Sequence, residues 1–224
     1  PHELKRGLAT IWKNQVGNTL LTLLLGVGLI ESGWVAHTIY QRLSNSALSV
    51  ESATLPERLP AAYPRMTKPA PDFLLVNKDG KEVSLAQFRG KAGIVTFVFS
   101  HCQTVCPGIV NTTIQVLKNR PAETFALFIT LDPWRDTPSS LATFSENWKL
   151  PENAQILSGS VEKVTAVLDA YGIPRDKDAK TGDITHPALV SVISPQGELA
   201  YSFNNPTPQW LDDALTKLRI SPNR

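Results

Sequence analysis

Residues 93–107 read Gly-Ile-Val-Thr-Phe-Val-Phe-Ser-His-Cys-Gln-Thr-Val-Cys-Pro, and this stretch decides the fold of the chain. The apolar, β-branched run over residues 93–99 predicts a buried strand. Pro107 suits the first turn of a helix, where its missing N–H would have no partner in any case. The two cysteines therefore lie on a strand-to-helix turn, beside a helix N-terminus whose partial positive charge favours thiolates. Such a pair can form a disulfide or hold a soft metal ion.

Composition restricts the class of protein. At 224 residues the chain has room for one ordinary domain and an appendage, and its net charge is only +2. Because no cluster of Lys and Arg is present, no nucleic-acid partner is expected. Two cysteines in one local motif do not make a disulfide scaffold, and a single methionine excludes a Met-rich copper-storage tract.

An apolar segment near the N-terminus predicts a membrane anchor. Between Lys13 and Arg42 the only charged residue is Glu31, and residues 16–36 reach the length of about 20 residues that crosses a bilayer. Basic residues precede this segment, so residues 1–15 are predicted to be a cytoplasmic tail. The chain would then be a single-pass inner-membrane protein with its C-terminal domain in the bacterial periplasm, or in the mitochondrial intermembrane space.

Two alternatives to the anchor stay open. A cleaved signal peptide has similar charged and apolar regions, although Trp34 stands where a cleavage site needs a small residue. A buried helix of a soluble domain is the other, although its apolar residues should lie on one face and here they lie all round. If the domain lies across the membrane, it is in a compartment where disulfides persist, so its two cysteines need a reductant to stay in the reduced thiol form.

Residues 37–68 are rich in serine and then in proline, which predicts an extended linker, and residues 69–224 are assigned to the folded domain. Strands are predicted over residues 71–76, 81–84, 93–99, 125–131, 155–157, 188–193 and 199–203, and helices over 107–119, 138–148, 161–171 and 207–218. Thr137 and Ser160 are predicted helix caps, and residues 173–185 a surface loop or hairpin. This α/β order, with a cysteine pair after a central strand, predicts a thioredoxin-like sheet flanked by helices and preceded by one transmembrane helix.

Three motifs together resemble a known family. The stretch 69–107 contains Pro-Ala-Pro-Asp-Phe, then Asp-Gly-Lys-Glu-Val-Ser-Leu-Ala-Gln-Phe-Arg-Gly-Lys, and ends in Cys-x-x-x-Cys-Pro. Residues 132–138 read Asp-Pro-Trp-Arg-Asp-Thr-Pro, and His186 precedes a strand that ends in Ser-Pro-Gln-Gly at residues 194–197. In this order, and with the predicted anchor, the motifs resemble the Sco/SenC copper chaperones over residues 69–220.

The resemblance implies a thioredoxin-like fold and a site for Cu(I) or Cu(II) made of Cys102, Cys106 and His186. It also implies that Asp132 and Asp136 lie around these ligands without binding the metal. Members of the family help to assemble the binuclear copper centre of cytochrome c oxidase subunit II, so the implied recipient is a cuproprotein of this kind. A protein that donates copper or reduces the thiols is a further implied partner.

The sequence departs from the family pattern at three places. The residues between the cysteines are Gln-Thr-Val, where the family commonly has an aspartate. His186 lies in a Thr-His-Pro sequence, where Asp-His-Ser is more usual. His101 is an additional imidazole beside Cys102, and we expect it at the surface or around the ligands, because adjacent residues of a strand point to opposite faces.

Simpler roles stay open for all of these residues. The cysteines could be two small buried hydrophobes, and His186 could be an ordinary surface or hydrogen-bonded histidine. For Asp132 and Asp136 a local role is open, as ion-pair partners of Arg135 or caps of the helix that follows.

Ligand chemistry favours copper over zinc at this cysteine pair. Thiolates are soft ligands that select Cu(I), whereas imidazole suits Cu(I) and Cu(II) alike. A structural zinc site usually has four protein ligands, and only three candidates are available here. Oxidation of the two thiols to a disulfide would release the metal, so copper delivery and thiol redox chemistry are linked.

Three functions compete on this basis. The first is a membrane-anchored copper chaperone, which would not be an enzyme. The second is a thiol–disulfide oxidoreductase, which would not need His186; the spacing counts against it, because the usual redox dithiol is Cys-x-x-Cys. The third is a copper- or redox-sensing subunit of a larger membrane complex. A peroxidase is disfavoured, because Phe99 stands where a peroxiredoxin has a threonine.

Overall fold

The computed structural model of the protein describes residues 58–61, 63–120 and 124–220. The predicted tail (1–15), the predicted anchor (16–36) and the linker as far as residue 57 lie outside the described residues. Within the part that is described, no helix combines the length and the apolar character needed to cross a bilayer.

One mixed sheet of eight strands organises the described residues. In chain order its strands are β1 (Lys68–Pro69), β2 (Leu75–Asn77), β3 (Glu82–Val83), β4 (Ala92–Val98), β5 (Thr124–Thr130), β6 (Ala154–Ser158), β9 (Leu189–Ile193) and β10 (Glu198–Asn204). Across the sheet the order is β1-β10-β9-β4-β5-β6-β2-β3. A separate two-stranded hairpin consists of β7 (Asp176–Lys177) and β8 (Ile184–Thr185).

The central strands β4 and β5 are buried along their whole length and run parallel to each other. Their continuous apolar sequences suit a position covered on both faces, as strands joined by helical crossovers require. Strand β6 continues the parallel arrangement beside β5, and β9 pairs antiparallel with β4 on the other side. The carboxyl ends of β4, β5 and β6 therefore lie at one edge of the fold.

Among the described residues, the sheet is accompanied by one 3-10 turn (Leu85–Phe88) and four α-helices: α1 (Cys106–Lys118), α2 (Pro138–Asn147), α3 (Val161–Ala170) and α4 (Pro208–Ile220). Helices α1 and α4 pack on each other and on β4, whereas α2 packs on β6 and β2. The predicted sheet flanked by helices is confirmed in this arrangement.

The predicted helix caps are confirmed in one case and corrected in the other. The Ser160 hydroxyl accepts a hydrogen bond from the Lys163 amide at 3.3 Å, as an N-cap does. Thr137 occupies the N-cap position of α2, but its hydroxyl contacts the Ser139 hydroxyl at 2.9 Å and makes no capping bond. Pro138 follows in the first turn of α2, where it leaves one amide fewer to satisfy.

The first predicted strand, residues 71–76, is shorter than expected and begins only at Leu75. The Asp72 carboxylate accepts hydrogen bonds from the amides of Phe73, at 2.8 Å, and Leu85, at 3.0 Å. These bonds offer the backbone an alternative to the strand ladder, as aspartate side chains commonly do.

Residues 58–61 and 63–69, here called the N-terminal strap, pack on the domain, although their prolines predicted a linker as far as residue 68. The amide of Leu59 donates to the Asp213 carboxylate of α4 at 3.0 Å, and the Leu59 side chain is buried. The Tyr63 hydroxyl donates to the carbonyl of Ser202 at 3.1 Å, and β1 pairs with β10. Proline restricts regular strand pairing but does not prevent packing, so a segment rich in proline can still contact the domain.

Gly93 in β4 provides a test of how tightly the central strands are packed. A Cβ atom at this position would lie 2.3 Å from Cε1 of Phe125, whose ring contacts Phe88 with centroids 4.4 Å apart. We expect Gly93→Ala to lower the free energy of unfolding by about 1–3 kcal/mol, as overpacking of a core does. Urea denaturation of the purified chain measures this change.

The same substitution in open space is the matched control. Gly108 in α1 has no atom within 4 Å of an added Cβ, so Gly108→Ala should leave stability unchanged or raise it by up to about 1 kcal/mol. An unfolding free energy of Gly93→Ala equal to that of the unchanged chain would contradict the packing described here.

Candidate metal centre

The two cysteines lie on the turn that leads from β4 into α1. The Cys102 amide donates to the carbonyl of Phe99 at 3.2 Å, which closes the turn just after the strand. The Cys106 amide, at the start of α1, points at Sγ of Cys102 with a separation of 3.4 Å. Both cysteines are free thiols and both are buried. The turn therefore brings the two sulfur atoms together, with a free amide of the helix N-terminus directed at one of them.

His186 reaches this turn from the other side, immediately after strand β8. Its Nε2 lies 3.6 Å from Sγ of Cys106, and its Nδ1 lies 3.0 Å from the carbonyl oxygen of Pro187. A carbonyl can only accept, so Nδ1 carries the proton and the lone pair of Nε2 faces the sulfur. The Phe99 ring stands edge-on to the imidazole with centroids 5.8 Å apart. The imidazole is thus held in the tautomer that a metal ligand requires.

Taken together, one ligand atom from each of Cys102, Cys106 and His186 lies within 4.8 Å of the other two. These are the three residues that the resemblance implied as ligands, and they come from two separate segments of the chain. Small movements of the side chains would bring two sulfur atoms and one nitrogen to coordination distance of a single ion. The donor set is soft and matches Cu(I) better than a hard cation such as Mg²⁺.

The two thiols have different environments. Burial alone would raise the pKa of the Cys102 thiol, but hydrogen bonds from Cys106 and Thr104 outweigh burial and hold the pKa below its usual value. Burial raises the pKa of the Cys106 thiol far above its usual value, and the neighbouring Cys102 and the charge of Asp136 act in the same direction. Cys102 therefore supplies the more accessible thiolate, whereas Cys106 keeps its proton until a metal or an oxidant replaces it.

Burial also lowers the pKa of the His186 imidazole, although the hydrogen bond to Pro187 and the charge of Asp183 oppose the change. The ring is consequently neutral at physiological pH. Only a neutral imidazole has a lone pair to give to a metal.

Asp136 lies behind the cysteine turn and is almost completely buried. Its Oδ2 accepts hydrogen bonds from the Ser100 amide at 3.0 Å and from the Thr130 hydroxyl at 2.7 Å. The Ser158 hydroxyl donates to its backbone carbonyl. Asp136 thus supports the turn from outside the group of three ligand atoms.

Asp132 has no solvent exposure and pairs with two cations. One carboxylate oxygen accepts from the Arg135 guanidinium, as the local alternative anticipated, and the other lies 3.2 Å from Nζ of Lys177. Lys177, in the charged segment predicted only as a loop or hairpin, was not among the predicted site residues. Because the contact joins residues 45 positions apart, no local sequence pattern could have indicated it.

His101 is exposed and lies outside the group of ligand atoms. Its Nδ1 is 2.8 Å from the Ser100 hydroxyl. The imidazole borders a polar cleft of about 370 Å³ between the cysteine turn and the β7–β8 hairpin, lined by His101, Gln103, Thr104, Arg135, Thr181 and Asp183. The surface position expected for His101 is the one observed.

Comparison with known proteins relates this chain to several SCO proteins. It is 30% identical over 136 residues to the mitochondrial SCO2 homolog of Bos taurus, a match that covers 56% of this chain and half of that protein. It is 26% identical over 153 residues to the SCO1 protein homolog of Bacillus subtilis, covering 66% of this chain and 79% of that protein.

Solved structures show the same relationship. The structure of Bradyrhizobium japonicum ScoI with copper bound superimposes with a TM-score of 0.57 at 26% identity, over 66% of this chain and 98% of that one. A structure of apo Sco1 from Thermus thermophilus, 24% identical, superimposes with a TM-score of 0.58 over 72% of this chain and 99% of that one, and supports the thioredoxin-like fold. Residues 62–218 match the SCO1/SenC family as a whole, and this chain therefore belongs to the SCO1/SenC family.

Proposed function

We propose that this protein binds one copper ion through Cys102, Cys106 and His186 and delivers it to a cuproprotein. The observation that carries the proposal is the convergence of the three ligand atoms, all within 4.8 Å of one another, at the end of the central strands. The copper-bound structure of the related Bradyrhizobium japonicum ScoI supports the choice of metal. The motif resemblance supports cytochrome c oxidase subunit II as the recipient.

The site suits a cargo that must be both held and released. Two thiolates and one imidazole make a three-coordinate site for Cu(I), which leaves room for a ligand of the recipient to approach the ion. Sγ of Cys102 belongs to the more exposed of the two cysteines, at 6% against 1% for Cys106. Ligand exchange would therefore begin on the side of Cys102 and end with release from the more deeply buried Cys106.

The proposal includes a location. Residues 16–36 would anchor the chain in the inner membrane, and the domain would work in the periplasm or the mitochondrial intermembrane space. Because disulfides persist in such compartments, a reductant must keep the two cysteines reduced before copper can bind. A copper donor and a thiol reductant are accordingly the partners that the site requires, besides the recipient.

Titration of the reduced chain with Cu(I), in competition with a chelator under anaerobic conditions, tests the ligand set. We expect one tightly bound copper per chain. Cys102→Ser and Cys106→Ser should each abolish tight binding, because a single thiolate remains, and His186→Ala should weaken it by about tenfold or more.

His101→Ala is the matched control, since it removes an exposed imidazole next to the same cysteine. It should bind copper as the unchanged chain does. Stoichiometric copper retained by Cys106→Ser, or equal losses from His101→Ala and His186→Ala, would refute the proposed ligand set.

The pH dependence of copper binding follows from the raised pKa of Cys106. This thiol is protonated across the neutral range, so loading of Cu(I) must release at least one proton, and affinity should rise about tenfold per pH unit. Chelator competition at three pH values between about 6.5 and 8.5 measures the slope, after correction for protonation of the chelator.

The histidine provides an internal control for this slope. Its pKa is lowered and its ring is already neutral, so His186→Ala should change the affinity but not the pH slope. An affinity independent of pH would show that Cys106 is already a thiolate in the metal-free protein.

A second candidate function, thiol–disulfide exchange, is favoured by the unequal thiols. An accessible thiolate beside a buried protonated thiol is the arrangement of an attacking and a resolving cysteine. In metal-free reduced protein, we expect iodoacetamide to alkylate Cys102 at least about tenfold faster than Cys106 at neutral pH, by mass spectrometry of the two peptides.

His186→Ala separates the two functions. A reductase should keep its rate with a disulfide substrate in this variant, whereas a chaperone should lose copper affinity. Equal alkylation rates at the two cysteines would remove the observation that favours the exchange reaction.

A further inference from the structure

The β7–β8 hairpin that carries His186 has little structure of its own. Its two strands have two residues each, and they pair with each other but not with the main sheet. A two-stranded hairpin in isolation is at best marginally stable in water. His186 follows directly after Thr185, the last residue of β8. Strand β9 of the main sheet begins three residues later, at Leu189, so the imidazole is placed by the main sheet on one side and by whatever holds the hairpin against the domain on the other.

Contacts from the 132–136 loop hold the hairpin at both ends. At the base, Nζ of Lys177 lies 3.2 Å from Oδ1 of Asp132 and 4.2 Å from the centre of the Trp134 ring. At the tip, the Arg135 guanidinium donates to the carbonyl oxygen of Gly182 and also pairs with Asp132. Asp132 is thus the common partner of Lys177, which belongs to the hairpin, and of Arg135, which contacts the hairpin tip.

The complete burial of Asp132 makes the loss of either of its cationic partners costly. The Asp132 side chain has no solvent exposure, whereas those of Lys177 and Arg135 are 38% and 30% exposed. A buried carboxylate that loses one of two cationic partners is destabilised, so Asp132 favours the state in which Lys177, and with it the hairpin, is in place. On β8, the buried side chain of Ile184 adds an apolar contact to the same state.

We propose that Asp132, together with Lys177 and Arg135, is a latch that positions His186 against the two thiols. Asp132 and Lys177 are positioning residues in this proposal, and neither touches the metal. The inference rests on the proposed copper site, because it concerns the contribution of the imidazole to that site. When the latch is broken, the hairpin and His186 move more freely, while the two cysteines stay where β4 and α1 place them.

The test compares Lys177→Met and Asp132→Asn with a matched control, Asp169→Asn. Asp169 pairs with Arg175 at the start of the same segment, but it lies on α3 and makes no hydrogen bond or ion pair with the 132–136 loop. Lys177 is partly exposed, so Lys177→Met still carries the test if Asp132→Asn fails to fold. Each substitution is made in the full chain, alone and combined with His186→Ala.

Three quantities are measured: Cu(I) affinity by chelator competition, the rate of copper loss to excess chelator, and the imidazole ¹⁵N signals of His186 in the metal-free chain. Lys177→Met and Asp132→Asn should each weaken binding and speed copper loss by about tenfold, the lower range for residues that orient a metal ligand. They should also shift or broaden the His186 signals. In the His186→Ala background they should have no further effect, and Asp169→Asn should have none in either background.

Failure of the latch and failure of the copper site give different results. If the unchanged chain binds no copper tightly, the proposed function fails, and the imidazole signals alone then decide whether Asp132 and Lys177 position His186. If the unchanged chain binds tightly and both latch variants behave like it, the latch is refuted. If the loss of Cu(I) affinity in a latch variant adds fully to the loss in His186→Ala, the latch is also refuted. The substitution would then act through the thiols and not through His186.

Discussion

The polar groups of Asp136 join the ends of the three parallel strands. Its carboxylate accepts from Ser100, just beyond β4, and from Thr130, the last residue of β5, while its carbonyl accepts from Ser158, the last residue of β6. A buried carboxylate needs donors, and here Oδ2 receives them from the strand ends, whereas Oδ1 has no hydrogen-bond partner in the part of the chain that the structure describes. The chain that leaves β4 is therefore fixed at Ser100, two residues before the first cysteine. This contact and the hydrogen bond from the Cys102 amide to the Phe99 carbonyl together set the direction of the cysteine turn.

The site consists of a cysteine turn set in the main fold and a histidine that follows a small separate hairpin. The two sulfur atoms lie between a strand buried on both faces and the first turn of a helix, so the backbone determines their separation. The imidazole arrives on a hairpin that belongs to no larger sheet and is held by side-chain contacts. The two thiols differ chemically, because Cys106 lies deeper than Cys102 and the charge of Asp136 raises its pKa further. A single ion bound here would have two thiolate ligands placed by a central strand and a helix, and a third ligand beside a hairpin outside the main sheet.

Local sequence patterns predicted two kinds of feature: strands that are completely buried, and helix ends that are set by neighbouring residues. The apolar runs of β4 and β5, Pro107 at the start of α1 and Gly172 at the end of α3, with φ of +66°, are all found where the sequence indicates. The N-terminal strap could not be predicted, because its packing depends on Asp213 and Ser202, more than 130 residues away.

The candidate site also contains residues that the local sequence predicts and residues that it does not. The cysteine turn follows from the residues around it, since strand, cysteines and proline are contiguous. The approach of His186 follows only from the resemblance to a family, because 80 residues separate it from Cys106. The pairing of Asp132 with Lys177 was not predicted at all. Each carries a charge that sequence alone would place at the surface, and only the folded chain shows that one of them is fully buried.

The two edges of the sheet restrict how another protein can join this one. The outermost strands, β1 and β3, have two residues each, and Pro69 in β1 has no amide proton to offer. Short edge strands with proline or charged residues discourage pairing with a strand of another chain. Neither self-association through the sheet nor recognition by strand addition is therefore favoured. Contact by way of the loops at the carboxyl ends of the central strands, where the cysteines lie, needs no such pairing.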